Sequence, residues 1–199
     1  MLALFDPPPS PDELPDRLAS PFAHDPPHPL ARRAAAALVR DLPPLAEGKM
    51  FGVLVVAAPD GRIGYLRAFS GMLDGTWHVP GFVPPAFDVA ARDAFWPAAE
   101  AELATLPPHE RRVRSRVLLR LLHDTYAFAN ARGETRSLRE LFAPVEPPGG
   151  AGDCAAPKLL AYAYRERLRP LALAELWWGP PPRSGGRHAG NFYPACRGK

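Results

Sequence analysis

The sequence predicts one α/β domain of the α+β type, in which helices flank a small mixed sheet and a helical insertion projects from it. Residues 49–58 (KMFGVLVVAA) and 63–69 are apolar, β-branched runs on either side of the turn signal Pro59-Asp60-Gly61, which is typical of a hairpin. Residues 171–178 (LALAELWW) predict a third strand. Hydrophobic residues make up 47% of the chain, so enough apolar surface exists for a core.

The first 29 residues are expected to form a proline-rich strap ahead of the domain, which spans 30–199. The chain holds 27 prolines in 199 residues, and they are dense between residues 6 and 29. This density predicts an extended segment of polyproline II character. The residues expected to pin the strap to the core are Leu14, Leu18, Phe22 and Leu30.

Helical spacing of apolar residues predicts the remaining elements. Helices are expected over 30–42, 88–105, 108–131 and 137–142, and the last three form an insertion at about 88–142. A further helix should run from 154 to about 168. Asp153 is expected to cap it, because its carboxylate can accept the free N–H groups of the first turn. Residues 71–87 and 179–190 are predicted loops.

Charge and composition exclude several classes of protein. Residues 1–100 carry a net charge of −4 and residues 101–199 a net charge of +7, so the second half can attract phosphate. The absence of an apolar run of about 18 residues predicts no membrane partner. With two cysteines and no secretory signal, the chain is expected to be cytoplasmic. No nucleotide-binding loop or His-Glu-x-x-His motif is present.

Cys154 is the first candidate for chemistry, because a thiol at a helix amino terminus has a lowered pKa. Three interpretations stay open. The residue is a small buried side chain, a metal ligand, or the nucleophile of a hydrolase or acyl transferase with His188 as its base. The last interpretation draws on a Gly-Asp-Cys helix start that is similar to those of papain-like and transglutaminase-like enzymes.

The metal interpretation rests on the order of elements, which resembles that of zinc-dependent cytidine-deaminase-like folds. In those folds a ligand opens one helix and a Pro-Cys motif opens the next. Here Cys154-Ala155-Ala156 and Pro194-Ala195-Cys196 hold the matching places. Ala156 replaces the general acid/base Glu, so deamination is not expected. A structural zinc would use Cys154, Cys196 and His188, and such a site needs four ligands.

Arginine and aromatic residues alternate near the end of the chain, which suits RNA because aromatic faces stack bases and Arg binds phosphate. The equally open alternative is a strand-edge core followed by a solubilising loop. The candidate RNA-binding residues are Lys158, Trp177, Trp178, Arg183, Arg187, Arg197 and Lys199.

Six strings together resemble a known family. They are residues 48–56 (GKMFGVLVV), 64–71 (GYLRAFSG), 80–85 (PGFVPP), 150–160 (GAGDCAAPKLL), 174–179 (AELWWG) and 192–199 (FYPACRGK). The chain is similar to the N-terminal extension of long bacterial RluA-type RNA pseudouridine synthases. The resemblance spans almost the whole chain.

The resemblance implies a role in uridine isomerisation in structured RNA (rRNA or tRNA), which requires no cofactor. The catalytic Asp of that family lies in a His-Arg-Leu-Asp segment that this sequence does not contain, so no catalytic residue carries over. The chain is therefore expected to be an accessory domain that acts with a separate synthase domain. We expect the chain to be a truncated gene product, the product of a split gene, or a stand-alone copy of the extension.

Overall fold

The computed structural model describes residues 1–18, 22 and 26–195. The candidate residues Cys196, Arg197 and Lys199 lie outside this range, as does part of the expected strap. Within the described residues an antiparallel five-stranded sheet lies between two helices. The strands are β1 (Ala3–Leu4), β2 (Lys49–Ala57), β3 (Ile63–Phe69), β6 (Arg169–Trp178) and β7 (Phe192–Tyr193), in the order β1-β3-β2-β6-β7.

The expected α+β class is confirmed, but the mixed sheet is wrong because every strand pairing is antiparallel. The apolar run of β2 reflects coverage on both faces. Phe51, Val53 and Val55 pack towards α1 (Pro29–Asp41), while Leu54 and Val56 pack towards α6 (Ala155–Arg165). Continuous apolar strands report burial on both faces, and burial does not determine strand direction.

The strap contains regular secondary structure as well as extended chain. Residues 3–4 form the edge strand β1, and the buried ring of Phe5 lies 5.0 Å from that of Tyr65. A short 3-10 helix follows at Pro11–Glu13. Leu14 and Leu18 pack against the core as expected, whereas Phe22 is exposed.

The helices of the insertion are shorter than the sequence predicts. The expected helix 88–105 is two helices, α2 (Val89–Asp93) and α3 (Trp96–Thr105), with Pro97 in the first turn of the second. Helix α4 (Pro108–Asp124) ends before residue 131. The hairpin β4 (Ala127–Ala129) and β5 (Thr135–Ser137) follows it, and then α5 (Leu138–Phe142).

Candidate functional site at the amino end of α6

The amino end of α6 is capped differently from the prediction. Cys154 is the N-cap residue, and the Asp153 carboxylate accepts a hydrogen bond from the Tyr126 hydroxyl at 2.6 Å. The acceptor for the first turn is the Glu175 carboxylate of β6, which receives the Ala156 N–H at 3.0 Å. The predicted capping by Asp153 is therefore wrong. A long-range acidic side chain serves the helix terminus instead.

Lys158 joins α6 to the end of β3 from inside the protein. Its ammonium donates to the carbonyl oxygens of Phe69 at 3.0 Å and Gly71 at 2.9 Å, and the side chain is 3% exposed. Burial lowers the pKa of Lys158 to about 8, against a partial opposing effect of the Asp153 carboxylate. This expected RNA-binding residue lies in the interior, where it holds backbone carbonyls rather than facing solvent.

A cavity of about 250 Å³ opens beside this helix terminus and brings three of the predicted residues together. Cys154, Trp177 and Arg187 all line it. Its other lining residues are Gly48, Lys49, Met50, Ser70, Glu175 and Pro194. Pro194 is two residues before Cys196, the first residue beyond the described range.

The cavity carries charges of both signs. Burial raises the pKa of Glu175 to about 6, while the Ala156 N–H and the Arg187 charge act in the opposite direction. Burial lowers the pKa of Lys49, whose ammonium donates to the carbonyl oxygens of Met72 and Ser70. A buried carboxyl that titrates near neutrality beside two cationic groups is typical of a binding site.

The aromatic residues of this region are largely engaged in packing. Trp177 is 6% exposed and its indole N–H donates to the carbonyl of Pro180 at 2.9 Å. The half-buried Trp178 directs its N–H to the carbonyl of Pro43 at 3.4 Å. The Arg187 guanidinium lies over the rings of Trp177 and Tyr193, 5.3 and 5.9 Å from their centroids. Of these candidates, Trp177 is buried and Trp178 and Arg187 are half-buried.

The loop that follows β6 places the other two candidates on the surface. Arg183 is exposed. His188 is exposed too, and its backbone N–H donates to the Tyr193 hydroxyl at 2.8 Å. Among the described residues, the wall of the Cys154 cavity does not include His188. The structure thus brings Cys154 to Arg187 and Trp177, but not into one cavity with the expected base.

The donor atoms needed for zinc are not assembled in the described part of the chain. No group of three or more His, Cys, Asp or Glu residues lies there within reach of one metal ion. A structural zinc site takes four ligands. The zinc prediction depends on Cys196 and therefore lies beyond the residues that the structure describes.

Sequence reasoning missed Glu175, Lys49 and Ser70 as parts of this site. Glu175 did carry a signal, because it is the single charged residue in the apolar run 171–178. A charge in such a run needs a partner when it is buried. Its partner, the Ala156 N–H, is 19 positions away, so only the packing of α6 on β6 reveals the pairing.

No family model matches the chain, and no curated protein or solved structure matches it either. Within the described ranges, no helix has both the length and the apolar character needed to cross a membrane.

Proposed function

We propose that this chain is an accessory, RNA-associated module of an RluA-type pseudouridine synthase and does not itself catalyse uridine isomerisation. One observation carries the proposal. Four strings that support the resemblance, and the described start of a fifth, converge on the same cavity in the fold. They supply every lining residue except Arg187: Gly48, Lys49, Met50, Ser70, Cys154, Glu175, Trp177 and Pro194.

The charge around this cavity supports RNA as the ligand. Arg187 lines the cavity and lies over two aromatic rings, and the exposed Arg183 is four positions earlier in the same loop. Guanidinium groups bind phosphate oxygens in a bidentate manner and stack on planar groups. Arg197 and Lys199 follow Pro194 in the sequence and add two positive charges to this end of the chain.

The test is the affinity of the chain for a fluorescein-labelled RNA hairpin with single-stranded flanks, measured by fluorescence anisotropy. The double variant Arg183→Ala, Arg187→Gln should bind about tenfold more weakly, with a salt slope smaller by roughly 0.7 for each phosphate that is no longer neutralised. The control variant Arg62→Ala, Arg165→Gln removes two exposed arginines elsewhere on the domain. Equal losses of affinity in both variants would contradict an RNA site beside this cavity.

The non-catalytic part of the proposal has its own measurement. RNA carrying tritium at the uracil C5 position releases the label when uridine is isomerised. The chain alone should release none above background. Release that depends on the chain would show that it contains a catalytic group that the family motif does not predict.

A hydrolase or acyl transferase that uses Cys154 and His188 is the second candidate. Its supporting observation is that Cys154 lines the cavity at the positive end of α6. Turnover of a p-nitrophenyl ester would favour it if Cys154→Ala and His188→Ala lowered the rate equally. Dependence on Cys154 alone would leave His188 without a role.

A zinc-stabilised, deaminase-like domain is the third candidate. Helix α6 packs on the sheet with Cys154 as its N-cap residue, which agrees with that architecture. The entirely antiparallel sheet and the Ala156 side chain do not support it. Zinc measured in the purified chain at one ion per molecule, and lost in Cys196→Ser, would favour this candidate over the RNA module.

A further inference from the structure

Helix α4 exposes a strongly basic face that is separate from the Cys154 cavity. Arg111, Arg112 and Arg116 are exposed, and among the described residues none of the three has an acidic partner. Arg111 donates to the carbonyl of Leu106 at 2.9 Å. Three positive charges within two turns of a helix create a local potential that attracts anions.

The α4 groove consists of two neighbouring cavities along this face. The first has a volume of about 440 Å³ and is lined by Pro108, Arg111, Arg112, Ser115, Arg116 and Leu119. The second has a volume of about 310 Å³ and is lined by Arg116, Leu119, Arg120, His123, Glu146 and Pro147. Arg116 and Leu119 line both, so the two parts adjoin at these residues.

His123 lies in the wall of the second part and has an unusual environment. It is 2% exposed, and neither ring nitrogen has a hydrogen-bond partner in the part of the chain that the structure describes. Buried polar side chains nearly always have a partner, in the protein or in a bound molecule. Both ring nitrogens are closed to water in this structure, so an oxyanion in the groove would have to displace the neighbouring Glu146 side chain or rotate the imidazole to accept from its N–H.

Glu146 would compete with such an anion for the Arg120 guanidinium. Its carboxylate lies 3.1 Å from the Arg120 guanidinium, and both side chains are more than half exposed. Exposed ion pairs of this kind contribute little to stability. An incoming phosphate group can therefore exchange with the Glu146 carboxylate at small cost, while Arg116 supplies a second guanidinium.

We propose that the cavity formed by Arg116, Arg120 and His123, between α4 and the segment at Glu146, binds a phosphate group. The two guanidinium groups neutralise the oxyanion, and the imidazole N–H donates to one of its oxygens. The site is distinct from the Cys154 cavity, so it does not depend on the RNA proposal. The phosphate could belong to an RNA backbone or to a small phosphorylated molecule, and the test distinguishes these sources.

The charges around His123 determine the pH dependence of the site. Burial lowers the pKa of His123, and the nearby carboxylates partly oppose this effect. The groups that face it are Arg116, Arg120, Asp124, Tyr126, Arg139, Glu146 and Asp153. A bound phosphate stabilises the imidazolium form, so the affinity should increase as the pH falls through the His123 pKa.

The test follows the His123 ring by ¹H–¹⁵N NMR while inorganic phosphate is added to the full chain. The resonance is assigned by its loss in His123→Leu. Wild-type His123 should shift in a saturable manner, and Arg116→Gln should raise the dissociation constant about tenfold. Glu146→Gln should lower it about threefold, because the competing carboxylate is removed.

Arg132→Gln is the matched control, since Arg132 is exposed on the β4–β5 turn of the same insertion. It should leave the dissociation constant unchanged. No saturable shift of His123, or a shift equally strong in Arg116→Gln and Arg132→Gln, would overturn the proposal. Dispersed amide resonances in each variant would show that folding is not the cause.

A second titration identifies the source of the phosphate. Competition between the RNA hairpin and inorganic phosphate at His123 would show that the RNA backbone supplies the phosphate. Lack of competition would exclude the RNA backbone and leave a small phosphorylated ligand as the source. Both results support the site. Weak RNA binding in the anisotropy experiment, with a normal His123 shift, would contradict the RNA-module proposal alone.

Discussion

Two buried basic side chains in this protein differ in their hydrogen bonding. Lys158, in the region of the sheet and α6, donates to two backbone carbonyls, whereas His123, in the helical insertion, has no partner among the described residues. Both are at most 3% exposed. In the sheet region, the buried Lys158 and Glu175 side chains are therefore hydrogen-bonded to the protein's own backbone. In the insertion, the His123 ring has no such bond among the described residues, and the proposed phosphate would supply one.

The largest change in stability is expected when the hydrogen bonds of Lys158 are removed. Lys158→Met should lower the free energy of unfolding by about 3 kcal/mol, because two carbonyls lose their donor within the core. Urea denaturation followed by circular dichroism measures it. Arg165→Met, at the exposed end of the same helix, should change the value by less than about 0.5 kcal/mol. Equal effects would mean that the hydrogen bonds of Lys158 contribute nothing.

Glu175 gives the next effect, which appears as a pH dependence. Its pKa is raised to about 6 from its ordinary 4.5, so the folded state binds the proton more tightly than the unfolded state. The associated stability is present below pH 4.5 and is lost as the pH rises through 6. The loss should amount to about 2 kcal/mol.

Glu175→Gln retains an oxygen acceptor for the Ala156 N–H but cannot titrate. The free energy of unfolding, measured by urea denaturation at several pH values, should therefore lose this decline in the variant. A decline of the same size in both proteins would assign it to other groups.

The smallest change in stability is expected when the His123 ring is replaced by an apolar side chain. His123→Leu should leave the free energy of unfolding unchanged or raise it by up to about 1 kcal/mol, because an unpaired buried polar group is replaced by an apolar one. Urea denaturation without added phosphate measures it. A loss of more than about 1 kcal/mol would show that His123 stabilises the unliganded protein.

The three central strands of the sheet, β2, β3 and β6, could be predicted from the sequence. The run 49–58 and the turn at 59–61 lie within one residue of the observed hairpin, because a continuous apolar run and a glycine turn are local signals. The prediction of a helix over 108–131 is less accurate. Phe128 continues the apolar spacing of α4, yet it belongs to β4, where its ring lies 6.1 Å from that of Tyr126.

The candidate site was predictable only in part. Cys154, Trp177 and Arg187 come from motifs, and the structure brings them to one cavity. The interior position of Lys158 depends on the ends of two distant elements, α6 and β3, meeting in space. His123 carries no sequence signal, because its burial and its lack of a hydrogen-bond partner among the described residues depend on tertiary packing.

The most direct test of RNA association is the salt dependence of binding by the unaltered chain. Anisotropy of the labelled RNA hairpin is measured over a roughly fivefold range of potassium chloride concentration. Engagement of Arg183 and Arg187 predicts that the logarithm of the association constant falls linearly with that of the salt concentration, with a slope of about −1.4 or steeper. A slope near zero, or no binding at low salt, would contradict the proposed function.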